Sequence, residues 1–235
     1  MDENKKIEPI VKPLSASEVE EAINKRLSII GSEFSKGFEL IKKYPQSVSI
    51  FGSSELADGS EYYEKARRIA GRLAKLNYAV ITGGGPGIME AANRGAFEAG
   101  GKSVGLNIQL PRSQPLNKYL TDSTEFFYFF SRKVMLAFAA EAYIFFPGGF
   151  GTLDEFFELV ELLKTQKIFP VPIILVGKEF WEPLDKFIQH ELMEKHKTIK
   201  QDDLSLYRIT DDEEKIVKWV LEEPVIHSLR FNAPL

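Results

Sequence analysis

The sequence predicts an α/β protein of the Rossmann-like type, a three-layer α/β/α fold with a mostly parallel sheet. From residue 47 onward, short apolar segments alternate with longer amphipathic segments, the order expected of repeated strand–helix units. Several short segments, such as SVSIF and PIILV, are apolar throughout, which is typical of strands covered by helices on both faces. Since no linker interrupts this pattern, residues 15–235 are predicted to form a single domain with an N-terminal helix.

A long helix is predicted ahead of the alternation, over residues 16–43. Residues 1–14 are predicted to be a flexible arm, and Ser15 and Glu18 then stand at capping-box spacing. This helix either packs on its own domain or lies between subunits. Together with the 18 phenylalanines, it favours a homo-oligomer. Its apolar stripe, with intervals of three and four residues, comprises Val19, Ile23, Leu27, Ile30, Phe34, Phe38 and Ile41.

The remaining elements follow in order. Strands are predicted at SVSIFGSS, YAVITGGG, KSVGLNI, TEFFYFF, AYIFFPGG, VPIILVG and LYRIT. Helices are predicted at SEYYEKARRIAGRLAKL, GIMEAANRGAFEAG, SRKVMLAFAA, TLDEFFELVELLKTQ, near Glu179, and at DDEEKIVKWVL. A loop containing Pro111 and Pro115 separates the third strand from the fourth.

Composition narrows the classes of function. The net charge of -4 disfavours a broad basic surface for nucleic acid or an anionic membrane. The absence of cysteine removes disulfides, thiolate ligands and a cysteine nucleophile, which suits a cytoplasmic protein. We expect no signal peptide or membrane helix, because the N-terminus is polar and the most apolar stretch, residues 134–146, is short. No metal site is predicted, because the three histidines, His190, His196 and His227, share no ligand spacing.

Three glycine-rich loops follow predicted strands and precede predicted helices. Such loops lie at one edge of a parallel sheet, where backbone N–H groups and helix N-termini hold phosphate. The alternative is that they are only tight turns. Ser53, Ser54 and Thr152 add hydroxyl groups to the loops. The predicted binding residues are Gly52, Ser53 and Ser54, then Gly83, Gly84, Gly85 and Gly87, and finally Gly148, Gly149, Gly151 and Thr152.

Two common nucleotide motifs are absent. A dinucleotide fingerprint starting at Gly83 would need a third glycine where Ile88 stands, and no acid follows at the end of the next strand. The G-K-S at residues 101–103 lacks the leading glycine of a P-loop, since residue 96 is alanine, and it runs from helix to strand. A mononucleotide-sized phosphate ligand therefore remains.

Charged residues beside these loops are candidates for function. Arg132 and Lys133 open a helix, where cations are unfavourable unless an anion offsets them. Such an arginine could clamp a phosphate, whereas the alternative is a solvated helix start. Asp154 and Glu155 open the helix after the third loop, and Glu90 lies at the start of the helix after the second loop. These acids either complement the helix dipole or face a cationic centre in the substrate.

The segments TGGGPGIMEAAN and PGGFGTLDE resemble the two signature motifs of the "lonely guy" family, the cytokinin riboside 5'-monophosphate phosphoribohydrolases. Many members were long labelled lysine decarboxylases. The second motif, P-G-G-x-G-T-x-x-E, is met at every fixed position, and the resemblance spans residues 47–177. One departure is FFYFFS before Arg132, where plant-like members carry a methionine-centred element. The preferred base therefore stays open.

The resemblance implies a Rossmann-like homodimer or higher oligomer that hydrolyses a nucleoside 5'-monophosphate, of a cytokinin or purine, to free base and ribose 5-phosphate without metal or cofactor. It assigns catalysis to Arg132 and Glu155, and substrate binding to Glu90, Lys133 and the loops. Three alternatives stay open: a nucleotide or cofactor carrier of the same fold, the pyridoxal-dependent decarboxylase of the old label, and an interaction protein. Ligand turnover distinguishes the enzyme from the carrier.

Overall fold

The structure is a computed structural model that describes residues 14–110 and 116–222. Residues 1–13, which make up the predicted flexible arm except for its last residue, lie outside the described residues. So does the proline-containing loop at residues 111–115. The single-domain prediction stays a prediction, since it extends to residue 235.

Seven parallel strands form one sheet in the order β4-β3-β2-β1-β5-β6-β7. The interior strands are buried on both faces, as their apolar sequences predict. The strands are β1 (Ser47–Phe51), β2 (Ala79–Thr82), β3 (Ser103–Ile108), β4 (Asp122–Phe126), β5 (Tyr143–Phe145), β6 (Ile173–Leu175) and β7 (Arg208–Ile209).

Helices cover both faces of the sheet, so the predicted three-layer fold is confirmed. They are α1 (Ala16–Ile41), α2 (Glu61–Lys75), α3 (Ile88–Glu98), α4 (Phe129–Phe138), α5 (Phe150–Lys164), α6 (Lys178–Phe187) and α7 (Glu213–Glu222). Helices α2, α3 and α7 share one apolar core with the sheet, whereas α1, α4, α5 and α6 share the other. A π-helical segment, Ile188–Lys195, continues α6, and a 3₁₀ helix, Gln201–Leu206, precedes β7.

Helix α1 begins with the predicted capping box. The Glu18 amide donates to the Ser15 hydroxyl at 3.4 Å, and the Ser15 amide donates to the Glu18 carboxylate at 2.7 Å. At the other end of α1, Leu40 and Ile41 are buried in the core. This end therefore packs on its own domain, as the first of the two alternatives for the helix expects, whereas residues 14–29 are exposed.

The predicted strand TEFFYFF is wrong in its second half. Strand β4 ends at Phe126, and Phe129 already begins α4. The buried carboxylate of Glu33, from α1, accepts the backbone N–H of Phe127 and that of Tyr128. These amides are thus satisfied by a side chain rather than by a neighbouring strand, and the chain turns into the helix.

Candidate active site

A cleft of about 340 Å³ opens at the carboxyl end of the sheet, where β1 and β5 lie side by side. The strand order reverses between these two strands, with β2–β4 on one side and β6–β7 on the other. Open parallel sheets bind ligands at such a switch point. The predicted residues that line the cleft are Gly52, Ser53, Ser54, Gly83, Arg132, Gly149, Gly151, Thr152 and Glu155.

The three glycine loops are bonded to one another through the backbone of Ser53. The Ser53 amide donates to the carbonyl of Pro147 at 3.0 Å, and the Ser53 carbonyl accepts the amide of Ile88 at 3.0 Å. Gly87, with φ of 68°, lies so close to this loop that a Cβ there would overlap the Ser53 carbonyl oxygen. The loops therefore form one braced rim, and glycine is required where they meet.

The rim is open at Gly149 and Gly151. A Cβ at either position would have no heavy atom within 4 Å, whereas a Cβ at Gly148 would overlap the Thr152 hydroxyl. Helix α5 begins here, and the first N–H groups of a helix have no partner within it. With the positive end of the helix dipole, they suit an anionic group in the cleft.

The serine hydroxyls of the first loop are oriented locally. The Ser53 hydroxyl accepts the amide of Glu55 at 3.0 Å, and the Ser54 hydroxyl donates to the Glu55 carboxylate at 3.1 Å. The Ser53 hydroxyl proton therefore remains available to a phosphate oxygen. Ser54 would have to exchange its carboxylate partner for the ligand.

Arg132 lies in the cleft at the start of α4. Its Nε donates to the carbonyl of Leu106 in β3 at 2.8 Å, which fixes the plane of the guanidinium. Burial lowers the pKa of Arg132, while the negative charge of Glu155 acts in the opposite direction. A Cβ on Gly83 would overlap the Arg132 Nη2 atom, so the second glycine loop leaves space for the guanidinium.

Glu155 lies in the first turns of α5 and is only 8% exposed. Burial raises the pKa of its carboxyl to about 8. The positive charge of Arg132 lowers this pKa, the charge of Glu158 raises it, and hydrogen bonds are not among the causes. Since a carboxyl with a pKa near neutrality can both hold and release a proton, Glu155 suits acid–base or electrostatic catalysis.

Lys133 is not among the residues that line the cleft. Its Nζ contacts the carboxylate of Asp154 at 2.8 Å and that of Glu158 at 3.4 Å, linking α4 to α5. The hydrogen bond to Asp154 contributes to raising the pKa of Lys133, against the effect of burial. Asp154 is largely exposed and lies at the edge of the cleft.

The other predicted residues support the site from outside the lining. Glu90 accepts the Tyr63 hydroxyl at 3.1 Å. The buried Asn117 amide group donates to the carbonyl of Gly85 at 3.1 Å, and the Asn117 backbone amide donates to that of Gly84 at 2.9 Å. The predicted residues outside the lining are Gly84, Gly85, Gly87, Glu90, Lys133 and Gly148.

Sequence reasoning missed several lining residues. Asn107 lies near the end of β3, where the rule that located the glycine loops would also have found it. The apolar ones carry no distinguishing signal, because apolar residues are common throughout these strands and helices. The missed residues are Phe51, Glu55, Met89, Asn107, Ile108, Leu110 and Phe129, five of them apolar.

In residues 14–110 and 116–222, acidic and histidine side chains form no group of three that could hold a metal ion. None of the helices in this part of the chain has the length and apolar content that a membrane-spanning segment requires.

The family model described as "possible lysine decarboxylase" matches residues 89–220, more than half of the chain. The cytokinin riboside 5'-monophosphate phosphoribohydrolase of Rhodococcoides fascians is 27% identical over 156 residues, covering 64% of this chain and 77% of that protein. The pyrimidine/purine nucleotide 5'-monophosphate nucleosidase of Escherichia coli K12 is 27% identical over 164 residues. This match covers 64% of this chain and 36% of that protein.

A solved structure adds a likeness of fold. The molybdenum cofactor carrier protein of Chlamydomonas reinhardtii superposes with a TM-score of 0.58 at 20% identity, covering 76% of this chain and 99% of that chain. The parallel sheet and its helices are thus shared with a carrier protein.

Proposed function

The chain belongs to the family described as "possible lysine decarboxylase", whose curated members include cytokinin riboside 5'-monophosphate phosphoribohydrolases, and on this premise we propose that it hydrolyses the N-glycosidic bond of a nucleoside 5'-monophosphate. The products are the free base and ribose 5-phosphate. One observation carries the proposal: a buried glutamate of raised pKa and a partly buried arginine line the same cleft as an open helix N-terminus.

The substrate fits the cleft in one direction. Its 5'-phosphate binds at the N-terminus of α5, where Gly149, Gly151 and Thr152 line the cleft, and receives a hydrogen bond from Ser53. Apolar side chains, including Met89 and Phe129, line the remainder and accept the flat base. The ribose then lies between them, next to Glu155.

The chemistry follows from this placement. When the C1'–N bond breaks, its electron pair leaves with the base, and positive charge develops on the ribose. The Glu155 carboxylate stabilises that charge and orients the attacking water, whose oxygen bonds to C1'. One proton of the water passes to the base. Arg132 holds the anionic nucleotide in place and stabilises developing negative charge.

The residues support hydrolysis over decarboxylation. A pyridoxal-dependent decarboxylase holds its cofactor on a lysine, and none of the described residues that line the cleft is a lysine. Lys133 lies nearby, but its Nζ contacts the carboxylates of Asp154 and Glu158.

Product analysis with a panel of nucleoside 5'-monophosphates, among them AMP and a cytokinin riboside 5'-monophosphate, tests the proposal. We expect stoichiometric free base and ribose 5-phosphate. Adenosine serves as the matched control, and its cleavage should be far slower because it lacks the group bound at α5. A nucleotide that is bound but recovered intact would identify a carrier instead. Equal rates for adenosine and AMP would overturn the phosphate assignment.

The assembly and location are also proposals. A homodimer or higher homo-oligomer that acts in the cytoplasm is supported by the family resemblance, the apolar stripe of α1 and the cysteine-free composition. No nucleic acid or membrane partner is proposed, given the net charge of -4.

A further inference from the structure

Helix α1 consists of two parts with different surroundings. From Glu33 onward, its inner face packs on the domain, and Gly37, Leu40 and Ile41 are buried. Residues 14–29 are exposed on every side of the helix. We call this exposed helical segment the arm; it is not the flexible arm predicted for residues 1–14. The arm therefore projects from the domain without contributing to either core.

The arm nevertheless carries an apolar stripe. Val19, Ile23 and Leu27 are 42%, 52% and 60% exposed. At about 100° per residue they fall within an arc of roughly 80°, so they form one face. The stripe continues through Ile30 into the packed half of the helix. Its apolar positions recur every 11 residues, close to three full helical turns, so the stripe runs nearly parallel to the helix axis.

An isolated helix of this length is marginal in water, because most helical stability in proteins comes from packing an apolar face. We propose that the arm pairs with the same arm of a second copy of this chain, in antiparallel orientation, about a twofold axis at Ile23. Ile23 then faces Ile23 of the partner subunit, and Val19 lies level with Leu27 of the partner subunit.

The spacing suits a twofold axis. Val19 and Leu27 lie four residues before and four residues after Ile23, so an antiparallel copy brings the three apolar residues into register. A contact between identical surfaces closes on itself and produces a dimer rather than a filament.

The charges favour the antiparallel orientation. At about 100° per residue, two charged residues flank the stripe, Glu20 three residues before Ile23 and Arg26 three residues after it. Antiparallel pairing places Glu20 of each arm level with Arg26 of the other. Parallel pairing would align like charges within the ~10 Å over which surface charges interact in 0.1 M salt.

Disulfide formation tests the pairing directly, because the chain has no cysteine of its own. Helices pack about 8–10 Å apart with Cα atoms at a radius of about 2.3 Å, so facing Cα atoms come within roughly 4–5 Å, which a disulfide can bridge. We expect Ile23→Cys to form covalent dimers under mild oxidation. Lys25→Cys, on the opposite face of the arm, is the matched control and should remain reduced.

Mixed variants test the orientation. An equimolar mixture of Val19→Cys and Leu27→Cys should cross-link between the two variants, and Val19→Cys alone should not. Cross-linking of Val19→Cys with itself would overturn the antiparallel register. Equal cross-linking of Ile23→Cys and Lys25→Cys would overturn the pairing as a whole.

Sedimentation provides an independent measurement. Ile23→Asp should halve the mass of the wild-type assembly, whereas Lys25→Asp should leave it unchanged. If the stripe were instead covered by another part of its own chain, Ile23→Cys would stay reduced, the mass would not respond to Ile23→Asp, and the proposal would fail. Both substitutions lie on the exposed arm, so thermal melting should show the domain still folded.

Discussion

Two neighbouring pairs of charged residues lie on α4 and α5, and their surroundings differ. Lys133 and Asp154 meet at 2.8 Å at the exposed edge of the cleft, and Glu158 adds a second carboxylate. Each one residue away along the chain, Arg132 is partly buried and Glu155 is buried. Burial shifts the pKa of both members of this pair toward the neutral form. Adjacent positions in the sequence thus hold one satisfied ion pair and one pair of charged residues whose ionised forms are disfavoured by burial.

The difference separates structural charges from candidate catalytic ones. A surface ion pair contributes about 0–1 kcal/mol, so exchanging one member changes little. Buried charges persist where their cost is offset by function, and a substrate with a phosphate and a developing cationic ribose would complement both of them. Breaking each pair in turn should therefore have very different consequences.

Glu155→Gln should have the largest effect. Glutamine keeps the size of the side chain but cannot carry the charge that a cationic ribose requires. We expect kcat to fall by about 10²–10⁴-fold, the range for loss of a general base, with nucleotide affinity largely retained. Single-turnover kinetics and equilibrium binding of the best nucleotide measure the two quantities. Near-normal turnover would mean that the wrong acid has been assigned.

The same variant should not lose stability. The folded protein raises the pKa of Glu155 from 4.5 to about 8, so folding favours the protonated form. The cost of the buried carboxylate is absent below pH 4.5, grows as the pH rises toward 8 and is constant above it. At pH 8 or above, thermal melting of Glu155→Gln should therefore occur at or above the wild-type temperature, whereas a purely structural glutamate would leave a destabilised variant.

Arg132→Ala should follow in size. The substitution removes a contact to the anionic nucleotide and also the group that orients it for reaction. KM should therefore rise and kcat should fall together. We expect kcat to decrease by about 10²–10³-fold, comparable with the loss of one preorganised electrostatic donor. Steady-state kinetics separates the two constants, and a change in KM alone would restrict Arg132 to binding.

The pH profile should reflect the buried carboxyl. Because the carboxylate is the form proposed to act, kcat/KM should rise about tenfold per pH unit up to the pKa of about 8 and level off above it. The limb belonging to Glu155 should disappear in Glu155→Gln. An activity that falls across the same interval would indicate that Glu155 acts as a protonated acid in the free enzyme.

Gly83→Ala should displace Arg132 without changing any charge. Its Cβ would overlap the Arg132 Nη2 atom most strongly and would also meet the Met89 Sδ atom, so the guanidinium would have to move. A misplacement of about 1 Å can cost on the order of 10²-fold in rate, which sets the upper limit expected for kcat/KM. Gly149→Ala provides a matched steric control, because its Cβ would meet no other part of the protein within 4 Å. Any loss of activity in that variant would therefore come from a clash with the bound substrate. If Gly83→Ala has wild-type kinetics, the position of Arg132 does not depend on this glycine.

Sequence periodicity predicted nearly the whole fold because strands buried on both faces carry an unambiguous apolar signal. The error at TEFFYFF arose where that signal fails. Strand β4 lies at the sheet edge with alternating burial, and Glu33, 94 residues earlier in the chain, satisfies the backbone amide of Phe127. A contact so distant along the chain leaves no trace in the local pattern.

The site was predictable to the extent that it depends on loops at strand ends. Glycine spacing located the rim, and the family motif pointed to Arg132 and Glu155. The separation of lining residues from supporting ones was not predictable. Glu90 and Lys133 follow the same glycine-rich or strand-end positions as the lining residues, yet their side chains are directed to Tyr63 and Asp154. Neighbouring residues on a helix point about 100° apart, and this difference decides which side chain enters the cleft.

Asp154→Asn should have the smallest effect and is the internal control for Glu155→Gln. Asp154 is adjacent to Glu155 and has the same charge, but its side chain is about 60% exposed and contacts Lys133. Asparagine retains a hydrogen-bond acceptor for the Lys133 ammonium, and Glu158 remains to balance its charge. The loss of one exposed ion pair costs at most about 1 kcal/mol, so we expect kcat to change by less than about fivefold. Because the charge of Asp154 contributes to raising the pKa of Glu155, the alkaline midpoint of the pH profile should also move slightly downward. Kinetics from pH 6 to 9 would measure both effects, and an inactive Asp154→Asn variant with an active Glu155→Gln variant would reverse the roles of the two acids.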